Sequence, residues 1–131
     1  MIRVTAAVIE RDGRVLIARR RSGDRFGGVW EFPGGKLEPD ETPEEGLRRE
    51  IDEELGMTIE VGARLGTFPF VSAAWSIELL AFRAAWTGGT MVLREHDDAR
   101  WVRPSELLSF AFAEPDRPIV RLLAEGASDG R

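Results

Sequence analysis

Two apolar runs separated by a tight turn lie near the start of the chain. Residues 3–10, RVTAAVIE, place apolar side chains on both faces of an extended backbone, which predicts a strand covered on both sides. Asp12-Gly13 separates this run from VLIA at 15–18, and Asp-Gly between apolar runs is a strong hairpin signal. We therefore predict a β-hairpin, then a polar loop over 20–28 and a break in the chain at 33–35.

A helix is predicted over 43–55, where apolar residues recur at every fourth position and form one stripe. Thr42 stands where an N-cap is needed, Pro43 occupies the first helical position, and Glu45 completes the order of a capping box. Gly56 can take the left-handed conformation that ends a helix. The residues of the apolar stripe are Leu47, Ile51 and Leu55.

The second half of the chain alternates short apolar runs with turn signals, which is typical of strands. A single helical turn and a final helix are predicted at 104–108 and 117–125. With 131 residues, the chain is long enough for one domain. We predict a single domain over 1–125 and a disordered tail over 126–131. The predicted strands of this half are 58–61, 64–71, 77–86, 91–93 and 100–102.

Composition and charge narrow the classes of function. The net charge of -5 argues against a protein that grips polymeric nucleic acid through many phosphates. The absence of cysteine excludes disulfides and Cys-based zinc sites. No long apolar run and no export signal are evident, so we expect a cytoplasmic protein with no membrane partner. A monomer and a homodimer are both compatible with these features.

Three carboxylates are spaced i, i+3 and i+4 in the predicted helix, at Glu50, Glu53 and Glu54. This spacing projects them from one face. A solvated acidic face is one interpretation of such a cluster. The other is a set of hard oxygen ligands that holds Mg²⁺, or Mn²⁺ as a substitute, and through it phosphate oxygens.

The residues around these acids favour the second interpretation. Gly35, then Glu41, then REIDEELGM over 49–57 resemble the Nudix box at each of its defined positions. The longer stretch WEFPGGKLEPDETPEEGLRREIDEELG over 30–56 is similar to the MutT branch, the small nucleoside triphosphate pyrophosphohydrolases. The resemblance is weakest over 58–93. It implies an α/β protein with the Nudix fold, a mixed β-sheet sandwiched between helices (α/β/α).

The resemblance also implies a metal site and a set of catalytic residues. Glu95, six residues before Trp101, stands where these enzymes place a further carboxylate, although it is also compatible with an exposed turn. Arg49 is expected to orient the carboxylates by contacting Glu41 and Glu53. The catalytic residues are then Glu50, Glu53, Glu54, Arg49 and Glu95. The expected metal ligands are Glu50, Glu53, Glu54, Glu95 and the Gly34 carbonyl.

Several neighbouring residues carry narrower expectations. Gly34 and Gly35 are expected to let the backbone turn sharply beside the metals. Gly46, one turn before Glu50, is expected to leave room for the phosphate and its ions. His96, the only histidine, is expected to be an exposed loop residue.

Two residues are candidates for substrate binding. Arg20 stands where the MutT branch has an arginine for substrate phosphates, although the cluster 19–21 could instead be only solvated. Asp116 either caps the final helix or reaches the base, where these enzymes can place an Asn. An ionised Asp only accepts hydrogen bonds. It could then take N1–H and N2–H₂ of a guanine or N4–H₂ of a cytosine, which puts recognition of the 8-oxoguanine O6 edge in doubt.

The expected reaction is Mg²⁺-dependent hydrolysis of a nucleoside triphosphate to a monophosphate and pyrophosphate. The resemblance implies housecleaning of oxidised or modified dNTPs, such as 8-oxo-dGTP or a cytosine-type dNTP. Other Nudix substrates remain alternatives, namely ADP-ribose, a dinucleoside polyphosphate or a capped RNA end. So do a non-catalytic nucleotide-binding module and a structural interaction domain, which predicts no dependence on metal.

Overall fold

A single mixed sheet organises the chain. The computed structural model describes residues 1–23 and 27–130, so the predicted loop 20–28 lies partly outside the described residues. Two 3₁₀ helices, Pro104–Ser109 and Glu114–Asp116, precede the last helix. The strands are β1 Ile2–Arg11, β2 Arg14–Arg20, β3 Trp30–Glu31, β4 Gly34–Lys36, β5 Met57–Val71, β6 Ser76–Gly89 and β7 His96–Val102, and the helices are α1 Pro43–Leu55 and α2 Arg117–Gly130.

The strand order is β3-β2-β1-β6-β5, with β4 added to β1 and β7 added to β2. Strand β1 runs parallel to β6 and antiparallel to β2 and β4. The predicted hairpin between β1 and β2 is present, and its two turn residues have positive φ, 52° at Asp12 and 77° at Gly13. A two-residue turn whose twist matches the sheet requires this conformation.

Both faces of the sheet are buried, as the apolar character of β1 predicts. Ala7 and Ile9 belong to a core beneath α1, whereas Ala6 and Val8 belong to a core beneath α2. Successive residues of a strand point to opposite faces, which explains why one strand serves both cores. The helix residues that cover the first core are Leu47, Ile51 and Leu55, and those that cover the second are Ile119, Val120 and Leu123. The predicted α/β/α sandwich is therefore confirmed.

Helix α1 begins and ends where the sequence predicts. Thr42 N–H donates to Glu45 Oε1 at 2.9 Å, and Glu45 N–H donates to Thr42 Oγ1 at 3.2 Å, which closes the capping box. At the other end, Gly56 adopts φ 66° and its N–H donates to the Asp52 carbonyl. These caps satisfy backbone groups that the helix itself leaves unpaired.

The structure differs from the predicted strands in several places. The predicted break at 33–35 overlaps β4, Gly34–Lys36. The two predicted strands 58–61 and 64–71 form the single strand β5, with register shifts between Val61 and Arg64 and between Arg64 and Gly66. The prediction of a strand at 91–93 is wrong, because these residues form no strand. Here the backbone caps α1 instead, because Val92 N–H donates to the Leu55 carbonyl at 2.9 Å.

The last helix is longer than predicted. The final helix was predicted over 117–125, and the backbone of α2 continues to Gly130. The predicted helical turn at 104–108 is present as the first 3₁₀ helix. Within the described residues, no helix has both the length and the apolar character that crossing a membrane requires.

Candidate active site

Arg49 links the carboxylates that precede and follow it. Its Nε and Nη2 donate to the two carboxylate oxygens of Glu41, at 2.6 and 2.8 Å. Its Nη1 donates to Glu50 Oε1 at 3.2 Å and to Glu53 Oε1 at 3.1 Å, and Nη2 also reaches the Lys36 carbonyl. The Arg49 guanidinium lowers the pKa of Glu41 to about 2. This geometry supports the predicted positioning role of Arg49.

Glu54 is the most deeply buried acid of the helix, with 6% of its surface exposed. Burial raises its pKa to about 10, and a hydrogen bond with Glu50 and the negative charges of Glu31, Glu50 and Glu95 act in the same direction. Its Oε1 has no hydrogen-bond partner among the described residues. A buried carboxylate without a positive partner is costly, so this oxygen is suited to a cation.

Two glycines of β4 let neighbouring segments lie closer to its backbone than any side chain would permit. A Cβ at Gly35 would lie 2.5 Å from the carboxylate carbon of Glu50, and one at Gly34 would lie 2.0 Å from the Thr5 carbonyl oxygen. The expectation that these glycines make a sharp turn is wrong, because both lie in a strand paired with β1. Their function in the fold is to let α1 and β1 come close to the backbone of β4.

Backbone carbonyls along β4 point alternately toward and away from β1, and the Gly34 carbonyl points away. Ala7 N–H donates to the Pro33 carbonyl at 2.8 Å and Leu37 N–H donates to the Arg3 carbonyl at 3.1 Å. Residues 33, 35 and 37 therefore pair with β1, and residue 34 points its carbonyl to the other side. No other described strand pairs with β4, so this carbonyl is open to bind an ion.

Gly46 has a different role from the expected one. A Cβ at this position would lie 2.3 Å from Leu37 Cδ2 and 3.0 Å from Glu41 Oε1. The glycine thus makes room for the loop before α1, including the acid that Arg49 binds, and not for a phosphate and its metals. The loop packs onto the helix here because Gly46 has no side chain.

The expected metal ligands have suitable chemistry but are not gathered into a finished site. No three His, Asp or Glu side chains in residues 1–23 and 27–130 converge as an ion site. The reason is that Arg49 holds Glu50 and Glu53, while Glu54 lies in the interior. The donor set nevertheless fits Mg²⁺ or Mn²⁺, since these ions take carboxylate and carbonyl oxygens and Glu54 supplies a buried oxygen without a partner.

A partly buried network that sequence reasoning missed lies near Glu54. Glu31 accepts a hydrogen bond from Arg20 Nη1 at 2.9 Å, and its second oxygen lies 2.8 Å from His96 Nε2. His96 is therefore not an exposed loop residue, since only 6% of its surface is accessible at the start of β7. The sequence does hold a signal for Glu31, a charged residue between Trp30 and Phe32 in a short apolar segment.

The sheet register brings the end of β2 and the start of β7 together beside this network. Arg20 pairs with His96 where β2 meets β7, which places the predicted phosphate-binding arginine next to Glu31. Glu95 is exposed and directly precedes β7, and its charge contributes to the raised pKa of Glu54. Among the predicted residues, Glu50 and Glu95 thus both raise the pKa of Glu54 through their charges.

Asp116 connects the last helix to this region. It is 7% exposed, and its Oδ2 accepts a hydrogen bond from the Phe32 backbone N–H at 2.8 Å. Burial raises the pKa of Asp116 to about 8, the charge of Glu31 raises it further, and the Phe32 hydrogen bond and the Arg20 charge lower it. This raised pKa favours the protonated form of Asp116 near neutral pH, whereas only the ionised form was considered from the sequence. A protonated carboxyl can both donate and accept.

Comparisons with known proteins agree with this geometry. The model of the NUDIX domain family matches residues 1–123. The chain is 39% identical over 120 residues to the CTP pyrophosphohydrolase of Escherichia coli (strain K12), which covers 92% of this chain and 89% of that protein. It is 35% identical over 124 residues to the putative 8-oxo-dGTP diphosphatase 2 of Mycobacterium tuberculosis (strain ATCC 25618 / H37Rv), covering 92% of this chain and 86% of that protein.

The fold is also shared with solved structures. The solution structure of the E. coli ORF135 protein superposes with a TM-score of 0.87 at 36% identity, covering 98% of this chain and 92% of the other. The crystal structure of the MutT protein from Methanosarcina mazei Go1 superposes with a TM-score of 0.84 at 28% identity, covering 96% and 94%. The chain therefore belongs to the NUDIX domain family and is a MutT-like Nudix hydrolase, an enzyme that acts on nucleotides.

Proposed function

We propose that this enzyme hydrolyses a nucleoside triphosphate to a nucleoside monophosphate and pyrophosphate in a reaction that depends on Mg²⁺. The observation that carries the proposal is the buried Glu54 oxygen without a partner, on a side chain that the charges of Glu50 and Glu95 also influence. Such a carboxylate oxygen is suited to a cation that in turn binds phosphate oxygens. Mn²⁺ would serve as a substitute because it takes the same oxygen ligands.

The proposed mechanism assigns the metal to the predicted ligands. Glu50, Glu53, Glu54, Glu95 and the Gly34 carbonyl would hold it. When bound, the ion neutralises the charge of the diphosphate and lowers the pKa of a water molecule. Arg49 is a positioning residue, because it contacts Glu50 and Glu53. Its bidentate grip on Glu41 anchors the guanidinium.

The chemical step is an in-line displacement at the β-phosphorus. The water oxygen forms a bond to this phosphorus while the bond to the oxygen that bridges the α- and β-phosphates breaks. Pyrophosphate carries the water oxygen, and the monophosphate leaves with the bridging oxygen. Glu54 or Glu95 takes the proton of the attacking water. Arg20 would contact the substrate phosphates, since Glu31 holds it beside the acids.

The base would be read by Asp116. In its protonated form this side chain can donate to a guanine or 8-oxoguanine O6, and in its ionised form it accepts from a cytosine N4–H₂. Both kinds of base are represented in the names of the E. coli and M. tuberculosis relatives. We therefore assign guanine-type and cytosine-type triphosphates as the substrate class, with a cytoplasmic housecleaning role against damaged dNTPs.

A panel of nucleotides tests this proposal. Purified enzyme is incubated with 8-oxo-dGTP, dGTP, dCTP, CTP, ADP-ribose and a dinucleoside polyphosphate, with Mg²⁺ or with EDTA. Pyrophosphate and monophosphate should form from the triphosphates only when Mg²⁺ is present, and Glu54→Gln should slow their release by about a hundredfold or more. Release of orthophosphate, faster turnover of ADP-ribose, or full activity in EDTA would each reject the proposed reaction.

A further inference from the structure

A basic groove lies at the end of the sheet opposite the candidate active site. It has a volume of about 870 Å³ and is bounded by the end of β7 and the first 3₁₀ helix. Arg14 and Arg20 occupy the two ends of β2, which at roughly 3.3 Å per residue places the groove about 20 Å from the network around Glu31. The residues that line it are Arg14, Arg100, Trp101, Arg103, Glu106 and Phe110, together with Val102 and Ser105.

The sheet register brings two arginines of the groove together. Val15 pairs with Val102, and their neighbours in the sequence, Arg14 and Arg103, both line the groove. Both side chains belong to exposed residues, and neither forms an ion pair within the described part of the chain. The acid of the groove, Glu106, already accepts a hydrogen bond from the Arg103 backbone N–H at 2.8 Å. Two positive charges that line one groove attract an anion, in a protein whose net charge is -5.

An aromatic surface adjoins these arginines. Trp101, which is half-buried, lines the groove and stacks on Trp86 with ring centroids 6.2 Å apart and planes at 16°. Arg11, the residue that pairs with Arg14 across the hairpin, lies over the Trp86 ring at 4.9 Å. Trp101 is thus held in place by the neighbouring ring, and a rigid indole beside two arginines suits a ligand with both an aromatic base and phosphates.

We propose that this groove is a second nucleotide-binding site, separate from the catalytic cleft. Arg14 and Arg103 bind the phosphates of a nucleotide, and its base packs against Trp101. The volume of the groove lies within the range of ordinary small-molecule sites. A monomeric nucleotide is favoured over a nucleic acid strand because a polyanion would also meet the acidic remainder of the surface. The site does not depend on the catalytic proposal, since none of its residues belongs to the candidate active site.

The four tryptophans of the chain allow a direct test by NMR. Indole N–H resonances of ¹⁵N-labelled enzyme are followed during titration with CTP in EDTA, and Trp101→Phe assigns the Trp101 resonance. This resonance should shift saturably with CTP and respond at least tenfold more weakly to inorganic pyrophosphate. The double variant Arg14→Glu with Arg103→Glu should raise the Kd for this shift at least tenfold. Arg121→Glu, an exposed arginine of α2, should leave it within about twofold.

Several results would contradict the proposal. An unmoved Trp101 resonance, or a shift that survives in the double variant, overturns the proposal. Equal affinity for pyrophosphate and CTP shows a simple anion site and overturns the assignment of a nucleotide. If the double Glu variant loses the dispersed amide spectrum of a folded protein, Arg14→Gln with Arg103→Gln removes the charges with less perturbation, and the same criteria apply. Tighter binding of a single-stranded oligonucleotide than of CTP would show that the groove binds a nucleic acid strand and not a monomeric nucleotide.

Discussion

Arg49 grips Glu41 with two hydrogen bonds of 2.6 and 2.8 Å and reaches Glu50 and Glu53 with a third nitrogen. One guanidinium therefore connects the loop before α1 to two of the proposed metal ligands. A lysine carries the same charge but lacks this forked set of donors, so even Arg49→Lys should disturb the carboxylates that Arg49 binds.

We expect Arg49→Lys and Arg49→Ala to lower kcat by at least tenfold while the fold is retained. Neither side chain can hold the carboxylates of Glu50 and Glu53 as the fork does, so the proposed ions would bind with poorer geometry. The Mg²⁺ concentration for half-maximal rate should rise as well. Steady-state kinetics over a series of Mg²⁺ concentrations measure both effects. Arg48→Ala is the matched control because Arg48 is exposed, and equal kinetics in all three variants would make Arg49 an ordinary surface residue.

Glu54→Gln is expected to lower kcat by about a hundredfold or more, since it removes the charge of a proposed metal ligand while the side chain keeps its size. Without metal, its thermal stability should equal or exceed that of the unmodified enzyme, because the buried acid has no positive partner in this state. Calorimetry in EDTA measures this difference.

Asp52→Asn serves as the control for Glu54→Gln, since Asp52 is an exposed acid of the same helix. It should keep near-full activity. Retention of near-full turnover by the folded Glu54→Gln variant would show that Glu54 is not a metal ligand.

Gly35→Ala should impair turnover by at least tenfold. Its Cβ would meet the Glu50 carboxylate at 2.5 Å, so Glu50 must move from its place beside Arg49. Gly126→Ala is a suitable control, because a Cβ there meets nothing within 4 Å in α2. Activity and Mg²⁺ dependence are measured for both, and an unaffected Gly35→Ala enzyme would mean that Glu50 has freedom to move without a function in catalysis.

The buried Asp116 is expected to make stability depend on pH. Its pKa is raised from 3.8 to about 8 in the folded protein, so the folded state keeps a proton that the unfolded chain loses above about pH 4. The free energy of unfolding should therefore fall as pH rises from about 4 to about 8, with a slope of up to about 1.4 kcal/mol per pH unit.

Asp116→Asn isolates this effect, since an amide does not titrate and can still accept from Phe32 N–H. Urea unfolding at several pH values between 4 and 9 gives the slope for both proteins. The difference between the two slopes removes contributions from other buried acids such as Glu54. Parallel curves would contradict protonation of Asp116 in the folded state.

Asp116→Asn is also expected to change base preference without abolishing hydrolysis. The ratio of kcat/KM between guanine-type and cytosine-type triphosphates should shift by about 1 to 3 kcal/mol, roughly ten- to a hundredfold. The shift should be larger at pH 9 than at pH 6.5, because only the ionised carboxylate differs from Asn in lacking a donor. An equal change in kcat/KM for every base would show that Asp116 has only a structural role at the start of α2.

The sequence by itself determined the features that local physics controls. The capping box of Thr42 and Glu45, the left-handed Gly56 and the Asp12-Gly13 turn each depend on residues a few positions apart. The spacing of the acids in α1 follows from the period of a helix. For this reason the hairpin and helix α1, along with the resemblance to the Nudix box, were all readable from the printed chain.

Only the tertiary structure decided how distant segments meet. Glu31 contacts His96, 65 positions away, and Phe32 N–H donates to Asp116, 84 positions away. The packing of these segments buries His96 and Asp116, and burial raises the pKa of Asp116 because desolvation disfavours an isolated charge. Gly46 likewise leaves space for Leu37 and Glu41, which belong to a loop that packs on the helix. No local pattern contains that information, since burial is a property of the assembled sheet and helices.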